Sequence, residues 1–372
     1  MNYELAAYTP ELQAQLVALR CAAFGGTLAS TRAHLQWKYE ENPYLDQPLL
    51  HVALFEGRVV GMRGWYGSRW RVGGDPRAWT IPCGADFVVD QSHRGRGLAS
   101  RLLTHSLEGP AAKGYEYVFS LSANQTTRLL QFRCGWKRVA PYHTWGRGER
   151  PQPAMTNRPD VRRYPNVFAR AQRRAARMLG DWRVQPPFHW FDAWASRLDG
   201  PLVATAAPRV QEMATLASRY HDQSRIHQVR DETFYGWRFR NPLSEYRFVF
   251  HTQHGDLDGF VVLQQPQSGG VVTIVDWAVP TPGVWSALLG AVADSGADSI
   301  QITSTLFTDE QAGILERLAF SPIVQPDTRT RPAPGLYLQA VSPASTDKWS
   351  LGHQRLLDSG GWDVRMIDAD SH

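Results

Sequence analysis

Cysteine is scarce in this chain. Cys21, Cys83 and Cys134 are its only three among 372 residues, and they stand far apart. Their spacing forms neither a metal site nor a disulfide framework, so no metal is expected and a reducing cytoplasm is the expected compartment. No run of 18 uncharged apolar residues occurs, which argues against a membrane span. The opening Met1-Asn2-Tyr3-Glu4 lacks the basic and apolar regions of a secretory signal. Charged residues are few at 20%, against 43% hydrophobic ones, a balance that fits a folded globular chain and not a disordered one. A nucleotide-binding P-loop is missing too, because no Gly-Lys-Ser/Thr occurs, and the one basic glycine turn does not have the G-x-G-x-x-G spacing.

The net charge of +5 is local. Eight arginines lie between Arg158 and Arg183 against two aspartates, which leaves the rest of the chain near −1. Residues 167–179 read as a bridging helix whose arginines face solvent or acidic surfaces. A nucleic-acid partner is not expected from this block. The length suits two domains better than one.

What the chain does have is Arg94-Gly95-Arg96-Gly97-Leu98-Ala99, placed between the apolar run Phe87-Val88-Val89 and a helix-like run from Leu98 to Leu107. A strand that turns through glycines into a helix aims several free backbone N–H groups at one point. That point binds phosphate. Gly95 and Gly97 supply the turn, the N–H groups of Leu98, Ala99 and Ser100 supply donors, and Arg94 and Arg96 supply charge.

The pattern Arg94-x-x-Gly97-x-Ala99 resembles motif A of the GNAT acyltransferases. Downstream, the strand-like Tyr115 to Ser120, then Asn124, then a helix ending at Cys134-Gly135-Trp136 resembles the family's motif B. The resemblance implies that acyl-CoA is the cofactor, with acetyl-CoA the expected donor. It implies that the turn holds the pyrophosphate, that Asn124 contacts pantetheine, and that a main-chain N–H of Phe87, Val88 or Val89 steadies the oxyanion.

An internal repeat is the second large signal. Leu35-Gln36-Trp37-Lys38-Tyr39…Asn42-Pro43 answers to Tyr235-Gly236-Trp237-Arg238-Phe239…Asn241-Pro242. Each is followed by two strand-like runs around a glycine turn. Ala85 to Val89 matches Val275 to Val279, and Leu129 to Trp136 matches Ile314 to Phe320. The expected fold class is therefore α/β, of the mixed α+β kind, with two tandem GNAT-like domains. The expected divisions are 1–148 with the acyl-CoA site, a connector over 149–195, a degenerate second domain over 196–342, and an extension over 343–372. The second domain reads as degenerate because its turn, Pro280-Thr281-Pro282-Gly283, has no basic residue and its prolines lack the donor.

Asp86 is the candidate general base, an acid in an apolar strand beside the presumed oxyanion donors. Many family members carry a Tyr acid four residues before the motif B glycine, where this chain has Gln131. Tyr142 and His143 are the candidates to replace it. The expected function is an acyl-CoA-dependent N-acyltransferase transferring directly to a primary amine of a small molecule. The W…N-P segments resemble tandem GNAT proteins linked to bacterial polysaccharide and amino-sugar enzymes, so an amino sugar is one such amine. Trp65, Trp70, Trp79, Trp136, Trp145 and Trp237 are possible stacking faces for it. The alternatives are a non-catalytic acyl-CoA sensor or scaffold, or an aminoacyl or other acyl transferase on the same fold. Nothing in the sequence sets an oligomeric state.

Overall fold

The computed structural model describes residues 2–148, 186–328, 330–342 and 347–369. The arginine block and the helix expected over 167–179 lie outside the described residues. The chain opens with β1 (Glu4–Ala7), α1 (Gln13–Phe24) and α2 (Leu28–Leu35). A Thr27–Ser30 capping box starts α2 by satisfying donors that the first turn cannot pair internally. α2 runs on into a π-helical turn, Gln36–Glu40, in which the successive residues Trp37, Lys38 and Tyr39 are all buried. Next come the antiparallel strands β2 (Leu49–Phe55), β3 (Arg58–Val72) and β4 (Ala78–Val89). They are followed by α3 (Leu98–His105), α4 (Glu108–Ala112), β5 (Tyr117–Ser120), α5 (Gln125–Arg133) and β6 (Lys137–Pro141).

After β7 (His143–Gly148) the second half repeats this order. It runs through α6 (Phe191–Ala195), β8 (Leu202–Thr205), α7 (Val210–Tyr220), β9 (Ile226–Gln228) and α8 (Glu232–Arg238). The strands β10 (Ser244–Gln253), β11 (Asp256–Pro266) and β12 (Val272–Ala278) follow, then α9 (Pro282–Ala293), β13 (Ser299–Ser304), α10 (Asp309–Arg317), β14 (Ser321–Pro322) and β15 (Gly335–Ala340). A tail of short strands, β16 (Ser350–Leu351), β17 (Gln354–Arg355) and β18 (Trp362–Asp363), closes the chain.

Two sheets result, and they exchange strands. The first runs β1-β2-β3-β4-β5-β15-β6, with β9 and β18 at the free end of β3; the second runs β14-β7-β13-β12-β11-β10-β8. β15 comes from the second half and lies between β5 and β6, while β7 comes from the first half and lies between β13 and β14. The boundaries expected at 148 and 342 therefore do not coincide with the sheets: each is completed by the other half.

Trp37 and Trp237 mark the centre of the pairing. Their rings stack at 4.8 Å and 8°, and each indole N–H donates to the other's main-chain oxygen, at 2.8 and 2.9 Å. Burying each indole stabilises by roughly 5 kcal/mol at about 25 cal/mol/Å² over ~200 Å². The Asn that follows makes the same turn in both halves, Asn42 accepting from Tyr44 N–H and Asn241 from Leu243 N–H. The repeated W…N-P segment is thus the joint between the halves. One core, holding Leu16, Trp37, Tyr66, Phe234 and Phe250, fills this joint on one face of the first sheet. The other face is covered by α3 and α5 over Trp65, Leu103 and Trp136.

Candidate active site

β4 ends at Val89, and the chain enters α3 through Gly95 and Gly97, both left-handed at φ +75 and +74. An L-residue there would be strained, which is why glycine stands at both places. The space where a Cβ would point is open at each. The first intrahelical bond of α3 is from Arg101 N–H to Gly97 O, so the N–H groups of Leu98, Ala99 and Ser100 project from the helix start without helical partners. Asp90 shapes the approach by accepting from the Ser92 hydroxyl and the Ser92 N–H, which hold its carboxyl below the usual range.

A cavity of about 260 Å³ opens in front of these groups. Arg94, Gly95, Gly97, Leu98, Ala99 and Ser100 form one side, as expected for the phosphate end. Phe87 and Val89 form a second, and Asn124 a third. Arg94 is anchored by its Nε to Val89 O at 2.9 Å. Three expectations change in detail. Arg96 is exposed and does not line the cavity. The Val88 side chain turns into the core on the opposite face, leaving only its main chain for the expected role. Asn124 Oδ1 accepts from Thr127 N–H at 2.9 Å as the cap of α5, which leaves the Asn124 Nδ2 donor for a ligand. His93, Thr126, Thr127 and Leu130 also line the cavity. His93 Nδ1 pairs with Tyr3 OH at 3.0 Å and its ring packs on Phe55. The threonines lie in the first turn of the helix that Asn124 caps, and Leu130 lies one turn further on.

The cavity continues a fork in the sheet. β4 and β5 run parallel and are bridged at Cys83↔Phe119; beyond it the cavity separates the end of β4 from the start of α5. Asp86 sits at this fork in a positive-φ bulge, φ 47, opposite the irregularity in β3 at Arg63. Its Oδ1 accepts from Arg20 Nε at 2.8 Å, and its Oδ2 accepts from Lys38 Nζ at 2.9 Å and Tyr39 OH at 2.7 Å. All four side chains are buried. Both carboxylate oxygens are engaged by these three partners, and Asp86 does not line the cavity. Asp86 is therefore a structural anchor, which corrects its expected role as base.

The two candidate acids separate. Tyr142 leaves the first sheet with its OH buried and without a partner, and burial pushes its phenol well above the ordinary value, so it is protonated at neutral pH. Its titratable neighbours are Asp368 and the buried thiol of Cys83, which places it beside the fork on the face that looks toward the second half. His143 is exposed and pairs with Ser304 in the second sheet. Strand alternation turns it away from Tyr142, and the structure does not bring it to the cavity. Gln131 is fully buried with neither amide atom bonded. Among the tryptophans, Trp65, Trp70 and Trp136 are fully buried and Trp237 is stacked on Trp37, so these four pack the core.

The second half has the same fork between β12 and β13, last paired at Ile274↔Ile302. The chain's own tail fills it. Thr305 N–H donates to Val364 O, Ile367 N–H donates to Val275 O, and Arg365 reaches Asp276 Oδ1 at 3.1 Å and Trp277 O. A helix start follows here too, capped by Thr281 and opened by Pro282, and a smaller cavity of about 140 Å³ lies between it and the start of α10, while the tail fills the fork behind it.

Helices on both faces of a sheet whose fourth and fifth strands fork at a glycine-turned helix start decide the architecture. The fold is the GNAT fold, used twice. Residues 5–130 match the family described as the acetyltransferase (GNAT) domain. Among solved structures, a GCN5-related N-acetyltransferase from Anabaena variabilis is similar at 13% identity and TM-score 0.57, covering 91% of this chain and 73% of that one. A probable N-acyltransferase of unknown function from Enterococcus faecalis reaches TM-score 0.59 at 11% identity, with 92% and 73% covered. A tandem GNAT protein from the clavulanic acid biosynthesis pathway has TM-score 0.50 at 14% identity, with 92% and 100% covered. No curated protein matches the chain. Among the described residues no helix is long and apolar enough to cross a membrane.

Proposed function

We propose that this protein is an acyl-CoA-dependent N-acyltransferase that transfers an acyl group directly to a primary amine of a small molecule. The observation that carries the reading is the cavity that joins the open helix start at Gly97 to the fork beyond Cys83. Acyl-CoA brings a thioester, an acyl group already activated toward an amine. The N–H groups of Leu98, Ala99 and Ser100, with Arg94, would hold its phosphates, since a helix start concentrates donors and positive potential there. Phe87 and Val89 wall the arm from one side, and Asn124 Nδ2 offers it a donor from the other. The fork ends at Cys83, beside Tyr142, whose protonated phenol we propose as the donor to the departing thiolate. The acceptor would approach from the face shared by the two halves. An amino sugar remains one candidate, resting on the resemblance of the tandem arrangement, while the buried tryptophans take away the stacking argument for it.

Titration calorimetry with acetyl-CoA tests the reading. Gly97→Asp puts a carboxylate into the phosphate end, and affinity should fall at least tenfold. Equal affinity in the two proteins sinks the cofactor assignment. A second reading, an acyl-CoA sensor, is favoured by Gln131, which stands where an acid would and cannot donate a useful proton. Binding with no thiol release across an amine panel would select it.

A further inference from the structure

Arg63 is the most anomalous charge in the molecule. Its side chain is 2% exposed, and it makes no hydrogen bond and no ion pair among the described residues. Nε and Nη2 are buried without partners. Its contacts are aromatic: the guanidinium lies 4.7 Å from the Trp65 ring centre and 5.4 Å from that of Phe87. Burial lowers its proton affinity to about 10, so it stays charged at neutral pH. A buried charge with no counter-ion costs several kcal/mol, so a fold that keeps one has a use for it.

Its position indicates the use. A Cβ on Gly84 would collide with Arg63 Nη2, so the guanidinium lies directly on Gly84. Gly84 follows Cys83, the residue at which β4 and β5 are bridged. Arg63 therefore stands at the apex of the fork, on the face that carries α3 and α5, behind the Phe87 ring that walls the cavity. The neighbouring anion is Asp86, and both its oxygens are engaged by Arg20, Lys38 and Tyr39. Arg63 is thus left outside the cluster that Arg20, Lys38 and Tyr39 form with Asp86. Other unpaired groups on this face are mostly donors. Trp136, stacked parallel to Trp65 at 6.2 Å, has an unpaired Nε1, and the Gln131 amide is unpaired at both atoms.

A neutral acetyl group would leave the Arg63 charge uncompensated, whereas an anion would compensate it. Resting on the acyl-CoA reading above, we infer that the acyl chain carried into this fork ends in a carboxylate, as in a succinyl or malonyl thioester, and that Arg63 selects it.

Calorimetry with acetyl-CoA, succinyl-CoA, malonyl-CoA and free CoA tests this on the full chain. The wild type should bind succinyl-CoA or malonyl-CoA at least tenfold more tightly than acetyl-CoA. Arg63→Met, of similar length and apolar, should erase that preference while keeping free CoA within about twofold. The same variant should unfold at an equal or higher denaturant concentration in the absence of ligand, because an uncompensated buried charge has been removed. A destabilised ligand-free variant would show that the guanidinium serves the fold and would overturn the assignment. So would a wild type that binds CoA and all three thioesters alike, with the acyl-CoA reading left standing. A wild type that binds no CoA overturns that reading and this one together.

Discussion

In the first half, β4 and β5 part beyond Cys83 and a cavity lies between them; in the second, β12 and β13 part beyond Ile274 and residues 364–367 of the same chain lie in the gap. Each fork has a buried aspartate that accepts a tyrosine hydroxyl at 2.7 Å, Asp86 from Tyr39 and Asp276 from Tyr235. The charges around them differ. Asp86 faces Arg20, Lys38 and, at the apex, an unpaired Arg63. Around Asp276, Arg230 and Arg365 are matched by Asp363 and Asp368, with Arg230 bonded to both oxygens of Asp368 at 3.1 and 2.6 Å. The matching hairpins align Gly57 and Gly61 with Gly255 and Gly259, which puts the buried Val261 where the first half has Arg63. One fork is filled by the tail and holds three carboxylates against two guanidiniums; the other is open and holds Arg63 without a partner among the described residues. A duplicated fold thus kept its scaffold twice, and the cavity at the second helix start is the smaller one, about 140 Å³ against about 260 Å³.

The largest test of this difference removes the tail. Deleting residues from Trp362 onward empties the second fork and strips away Trp362, Val364 and Ile367, all fully buried. Each large buried apolar side chain contributes about 2–5 kcal/mol, so the truncated chain should lose its cooperative urea transition. A truncated protein that unfolds with the parent midpoint would mean that the tail does not plug the second sheet.

Next in size is Asp86→Ala, which leaves Arg20 and Lys38 buried without their carboxylate. Removing one partner of such a cluster costs roughly 3–5 kcal/mol. Asp86→Asn, if soluble, should lower stability while keeping the shape of the pH–rate profile. A lost acidic limb in that profile would restore Asp86 as the base.

Much of this was legible in the residues. The glycine turn at 95–97 and the helix that starts at Asn124 were legible because glycine turns and helix caps are local chemistry, fixed within a few positions. The repeat was found because the joint demands the same Trp and Asn-Pro in each copy. Asp86 was misassigned for a physical reason: its partners Arg20, Lys38 and Tyr39 lie 66, 48 and 47 residues away. An acid in an apolar strand reads the same whether it titrates or is paired. The exchange of β7 and β15 was equally hidden, since a strand's pattern records which face is buried and not which sheet receives it. Arg63 was passed over because one arginine in a strand becomes informative only when its lack of a partner is visible. The tail could not be read as a plug for the same reason: complementarity to a distant fork leaves no periodic trace.

The smallest comparison uses the two helix caps that open α5 and α10. Asn124 accepts from Thr127 N–H, and Thr308 accepts from Gln311 N–H at 3.1 Å. Replacing either by Ala removes one bond to an otherwise unpaired donor and should cost about 1 kcal/mol in urea titrations. The two variants should then part company. Asn124 lines the open cavity, so Asn124→Ala should also weaken CoA binding several-fold, whereas Thr308→Ala should leave it unchanged. Asn124→Asp separates the two jobs at one position. An aspartate oxygen still caps the helix, so stability should hold, but the Nδ2 donor is gone and a negative charge stands in the slot. CoA affinity should therefore fall at least as far as in the alanine variant. If Asn124→Asp binds CoA like the parent, Asn124 is only a cap, and the two helix starts differ in their surroundings and not in their own chemistry.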